Sequence, residues 1–164
     1  MSYYFRLMGG GLLLLLSMIV GSGYSAYKDR RIAESEGFIA LISHIEGMIS
    51  RFLSHGSLLW QGFSNSELET CGFLSMLRNG ASPAEAFSDT RSRLAISKKA
   101  KEKLSVYFGA FGRGYREDEL KIASACRSEL EEMLRTERAE LENNVKAVKA
   151  VLFGTALGVI ILLI

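Results

Sequence analysis

The sequence predicts an all-α protein. It reads as a small helical bundle flanked by an N-terminal and a C-terminal transmembrane helix, with the last helix long and continuous with the second span. Three observations predict this. Leu7 to Tyr27 is an uncharged apolar run, and Ala150 to Ile164 is a second one. Between them, Lys28 to Lys149 carries every charged side chain except Arg6. The chain has one proline in 164 residues, and Leu, Ala, Glu, Lys and Arg abound between the runs, which favours helix over sheet.

The first element is a membrane helix over residues 6–27, with residues 1–5 as an outer-face N-terminus. Leu7 to Tyr27 makes a helix of about 31 Å, the thickness of a hydrocarbon core. Tyr3, Tyr4 and Phe5 suit an outer interface. Gly9, Gly10 and Gly11 open the run, and Gly21 and Gly23 offer a smooth face near its end. A cleaved signal peptide is the rival reading, because Gly21, Ser22 and Gly23 suit a cleavage site. Lys28, Arg30 and Arg31, directly after the run, oppose export of the downstream chain. With Lys146 and Lys149 before the second run, they place the middle on the cytoplasmic side.

Residues 28–146 form the expected cytoplasmic bundle, and about 120 residues suffice for one modest core. Glu36 to Leu53 sets Phe38, Ile39, Ile42, Ile45, Met48, Ile49 and Phe52 on one helical face, with Gly56 as a stop. Ser57 to Phe63 is a short apolar turn or helix holding Leu58, Leu59, Trp60 and Phe63. Ser66 to Asn79 reads as one helix with Leu68, Cys71, Phe73, Leu74 and Leu77 inward and Gly80 as its left-handed ending. Ser82-Pro83-Ala84-Glu85 is a capping box with proline at the first helical position. Ser97 caps a further helix, Lys98 to Phe111, that turns Ala100, Leu104, Tyr107, Phe108 and Phe111 inward. Gly112-Arg113-Gly114 breaks it.

From Arg116 one helix runs without glycine or proline into the last span, residues 147–164. It extends for about 48 residues, roughly 70 Å. Leu120, Ala123, Arg127, Leu130, Leu134, Leu141, Val145 and Val148 keep a roughly heptad stripe, interrupted by polar Arg127 and by Glu137 or Arg138. Glu117, Asp118 and Glu119 favour its positive end. Glu131–Arg135 and Glu142–Lys146 are expected ion pairs. Gly154 and Gly158 form a small-residue pair that could pack on the Gly21–Gly23 face.

The residues with chemical potential are few. The net charge of +2 leaves no nucleic-acid footprint. Cys71 and Cys126 read as reduced, buried thiols, and no Cys/His spacing suits zinc. His44 and His55 belong to one amphipathic helix and its end. Gly112-Arg113-Gly114 lacks the lysine and strand of a phosphate loop. No catalytic residues, metal or cofactor are expected. The feature left over is a basic cluster, Arg91, Arg93, Lys98, Lys99, Lys101 and Lys103, with Glu102 its single acid. It reads as a solvated face, as a surface for anionic headgroups, or as a dock for an acidic protein partner. Partner binding is the role expected of it.

Several strings carry a resemblance: Arg6-Leu7-Met8-Gly9, Gly21 to Arg31, Ile45-Glu46-Gly47-Met48-Ile49, Phe108 to Gly112, and the Glu-rich run from Glu129 into the apolar tail. Across nearly its whole length the chain resembles the stage III sporulation protein AB family. It departs from the family's pattern at Met48, where a second acid is usual, and at Ser57-Leu58-Leu59 in place of a Thr-Pro-Leu turn. The resemblance implies a bundle similar to the F-type platform domains of type II secretion and type IV pilus systems. It also implies a non-enzymatic platform in the mother-cell membrane, within a channel between mother cell and forespore. Its expected partners are a cytoplasmic secretion-type ATPase and the channel's other membrane subunits, with self-association left open. A small holin-like membrane-active protein is the alternative.

Overall fold

The computed structural model describes residues 2–52 and 58–163, and every regular element among them is a helix. In chain order these are α1 (Ser2–Phe52), α2 (Leu58–Gln61), α3 (Ser66–Thr70), α4 (Phe73–Arg78), α5 (Pro83–Thr90), α6 (Lys98–Ala110) and α7 (Arg116–Leu163). The chain divides into two units, residues 1–29 with 137–164, and residues 30–136.

Two boundaries differ from the sequence reading. The expected membrane helix and the amphipathic helix from Glu36 are one continuous α1 of 51 residues. No glycine or proline lies between Tyr24 and Glu36, so nothing local stops the helix. The expected Ser66–Asn79 helix is instead two, α3 and α4. Gly72 separates them with φ 90°, a left-handed conformation glycine adopts without steric penalty. Gly80, φ 92°, follows α4 as its spacing predicts. The long last helix is present as α7, 48 residues from Arg116. Gly56, His55 and Ser57 lie outside the described residues, and so do the side chains of Tyr3, Tyr4, Phe5, Phe52, Leu58 and Glu142.

The terminal unit is helical throughout its described residues. Among the described residues no helix is long and apolar enough to cross a membrane. That finding does not support the two expected spans; the side chains of residues 7–14 and 17 in the first run lie outside the described residues. A Cβ on Gly23, Gly154 or Gly158 would meet no atom within 4 Å. At Gly23, Gly154 and Gly158 the described residues therefore show no close small-residue contact, while Gly21 is buried.

The bundle unit is organised around four phenylalanines from four helices. Phe38 (α1), Phe73 (α4), Phe87 (α5) and Phe108 (α6) are all fully buried. Their rings pack pairwise with centroids 5.2 to 6.3 Å apart, several edge to face. Leu41, Ile42 and Ile45 extend the core along α1, while Ala123, Cys126 and Leu130 supply it from α7. Cys126, not Arg127, faces inward on α7. A second aromatic group joins Trp60, Tyr107 and Phe111.

Polar contacts fix the ends. Asn65 caps α3 by accepting from the Leu68 amide at 3.1 Å. A Cβ on Gly37 of α1 would stand 2.8 Å from that Asn65 Oδ1, so glycine is what lets α3 approach α1 here. The Ser82–Glu85 capping box forms in both directions. Arg116 donates to the carbonyls of Ile49 and Ser50, holding the start of α7 to the last described turn of α1. Glu119 does more than favour a helix dipole. It is buried and accepts from the Gly112 and Gly114 amides at 2.9 and 3.0 Å, which closes the α6–α7 turn.

Candidate functional site

The basic cluster lies on the turn between α5 and α6 and on the first turns of α6. Arg91 is the C-cap of α5, and Ser97 caps α6 by accepting from the Ala100 amide at 3.3 Å. Between them Leu94, Ala95 and Ile96 are buried, while Arg91, Ser92 and Arg93 are exposed. The apolar triplet anchors the turn and leaves its cations in solvent.

A buried carboxylate fixes where that turn sits. Glu34 on α1 is 1% exposed. Its Oε2 accepts from the Ala95 amide, and its Oε1 accepts from Arg30 Nε at 2.8 Å. Arg30 Nη2 in turn donates to the Arg93 carbonyl at 3.0 Å. The Arg30–Glu34 pair thus clamps residues 93–95 against α1 at the point where α1 enters the bundle unit. Sequence reasoning missed this. A signal exists: Glu34 shares a helical face with Phe38, Leu41 and Ile45, so an acid stands on a core stripe with an arginine one turn before it.

Helical rotation then separates the six cations. Arg91, Arg93, Lys98 and Lys99 are all exposed, and Lys99 lines one groove with Lys103, a turn further along α6. Arg91, Lys98 and Lys99 have no ion pair among the described residues. Lys101 and Lys103, two positions apart, point to opposite flanks. Lys103 pairs with Glu129 on α7, and this hydrogen bond and charge raise its pKa. Lys99, Glu102, Lys103, Val106 and Met133 line a shallow groove of about 310 Å³ between α6 and α7. The Lys103–Glu129 pair and the Lys99–Met133 groove set α6 antiparallel to α7.

The remaining polar groups are structural in setting. Arg127 bridges Glu46 Oε2 at 3.0 Å and Glu131 Oε1 at 2.8 Å, and these bonds raise its pKa. Glu131 therefore pairs one turn back, not with Arg135 as expected; Arg135 meets Glu132 instead. Cys71 and Cys126 are free and buried. Burial, then the Glu129 charge, pushes the Cys126 thiol up to about 11. Burial also drives the Tyr107 phenol far above its ordinary range. His44 is half-buried against Phe63. Among the described residues no three His, Cys, Asp or Glu side chains gather as metal ligands.

This arrangement is a packed helical core with exposed cations at one edge. The two long helices frame a packed core, and the exposed cations sit on one turn. No curated protein and no solved structure matches the chain. A family model does: Stage III sporulation protein AB matches residues 6–164. The chain belongs to the stage III sporulation protein AB family, and its role is in stage III of sporulation.

Proposed function

We propose that this protein is a non-enzymatic membrane platform of the sporulation channel between mother cell and forespore. In this reading residues 6–27 and 147–164 cross the mother-cell membrane. Residues 28–146 stay in the cytoplasm and receive a secretion-type ATPase, in the manner of F-type platform domains. The other membrane subunits of the channel are further partners. Family membership across residues 6–164 carries the reading. It is supported by uncharged apolar runs at both ends of the sequence, each continuous with a helix of the bundle unit. It is supported too by a core filled with aromatic and aliphatic side chains, which leaves the surface for binding.

Two measurements test it. The first is a topology map by cysteine labelling in intact cells. A cysteine at Ser97 is expected to stay unlabelled by an impermeant reagent until the membrane is opened. Labelling from outside, or a mature chain beginning near Tyr24, overturns the two-span platform. The second is purification of the full chain in mild detergent with the cytoplasmic ATPase. Their co-elution is expected, and separate elution removes the ATPase from the reading.

A further inference from the structure

Three buried side-chain atoms of the bundle unit have no hydrogen-bond partner among the described residues: His44 Nε2, Glu46 Oε1 and the Tyr107 hydroxyl. His44 packs beside Phe63, on the far side of α1 from Glu46, since two positions turn a helix by about 200°. Glu46 and Tyr107 are brought to one level by the ion pairs around them. Lys103 pairs with Glu129, and Tyr107 stands one turn beyond Lys103 on α6. With α7 antiparallel, Tyr107 lies at the height of Cys126 and Arg127. From that height Arg127 Nε reaches Glu46 Oε2 at 3.0 Å and leaves Oε1 unbonded. Electrostatics agree with this placement: after burial, the Cys126, Glu119 and Glu46 groups raise the Tyr107 phenol further. The core residues of α7 at this level, Ala123 and Cys126, are small.

We propose that Glu46 Oε1 and the Tyr107 hydroxyl hold one buried water molecule between them. Tyr107 is only 2% exposed, and a hydroxyl that deep forfeits its hydration unless something bonds it. The needs of the two groups are complementary. A phenol donates and accepts, whereas a carboxylate oxygen only accepts. A water between them accepts from the hydroxyl and donates to the carboxylate, and a site lined by polar atoms and small side chains suits one. The bridge joins α6 to α1 through a carboxylate that already holds α7, so three helices meet at one polar point beside an apolar core. Its directional bonds fix the rotation of α6. The ring contacts of Tyr107 with Phe108 and Phe111 constrain that rotation less sharply.

The test uses the full chain in detergent, unfolded with urea as the parent, as Tyr107→Phe, and as Tyr115→Phe for an exposed control. Tyr107→Phe keeps the ring and removes only the bonded oxygen. It should lower the folding equilibrium constant about five-fold, the usual worth of one hydrogen bond, while Tyr115→Phe leaves it unchanged. An unbonded hydroxyl gives the opposite sign, because removing it relieves a desolvated group. A Tyr107→Phe chain as stable as the parent, or more stable, therefore overturns the inference. A crystal structure of the full chain then identifies the bridge. A water oxygen within about 3.2 Å of both Tyr107 Oη and Glu46 Oε1 is expected, and its loss from the Tyr107→Phe crystal. A hydroxyl bonded straight to Glu46, or to another protein group, overturns the water even where the stability loss is seen.

Discussion

Glu34 shows how one buried acid organises a surface it never touches. It satisfies the amide of Ala95 and orients Arg30 toward the Arg93 carbonyl. Replacing it with alanine leaves a buried amide unpaired and frees the turn. Glu34→Ala should lower stability by about 1–3 kcal/mol in urea titrations and speed amide exchange in residues 93–97. Cys126 supplies a pH prediction at the same scale. Its thiol rises from 9.0 to about 11 on folding. Above pH 9 the unfolded chain releases that proton more readily than the folded one, so stability is complete below pH 9 and declines between 9 and 11. The loss amounts to roughly 2–3 kcal/mol, and the raised Tyr107 phenol adds to it above pH 10. Thermal melts followed by circular dichroism between pH 8 and pH 11 check this, with Cys126→Ala flattening the decline. The sequence disclosed the cations as a run of letters. It did not disclose which of them remain neighbours, because that depends on rotation about α6 and on the Glu34 clamp.

The caps were the most legible feature among the elements. Ser82 and Ser97 start α5 and α6 where local spacing places them, since capping is decided within four residues. Breaks that depend on a left-handed glycine were less visible. Gly72 resembles any glycine in an apolar stretch, yet its φ of 90° divides α3 from α4 and turns Phe73 into the ring cluster. Gly37 was invisible as a contact, because its purpose is to admit Asn65 from a distant segment. Gly37→Ala should force Asn65 away and cost about 1–3 kcal/mol, and pairing it with Asn65→Ala should cost less than the sum of the two single changes. Denaturation of the three variants measures that coupling directly. Where polar Arg127 interrupts the stripe of α7, Cys126 fills the core between Ala123 and Leu130. The long arginine covers apolar surface and reaches Glu46, while the small Cys126 takes the core position.

For the molecule as a whole, helix content and the extent of α7 were plain from composition and from the absence of breakers. The joining of two expected helices into α1 was not, because a switch from apolar to charged residues looks like a boundary even when the backbone continues. The phenylalanine cluster unites α1, α4, α5 and α6, so the bundle should unfold as one cooperative unit. Phe38→Ala, at a ring that meets the other three, should cost about 3–5 kcal/mol and lower the single transition without splitting it.

Arg116 gives the chain an unusual way of being divided. Its bonds to the Ile49 and Ser50 carbonyls make neighbours of residues 66 positions apart. The five short helices therefore depart from one spot and come back to it, like a bight in a rope. Nicking the bight at the exposed Asn79–Gly80 corner leaves one long helix on each fragment and matching halves of the aromatic cluster. Such fragments, co-produced, have the surfaces needed to find each other again, and so the protein lends itself to assembly from two pieces.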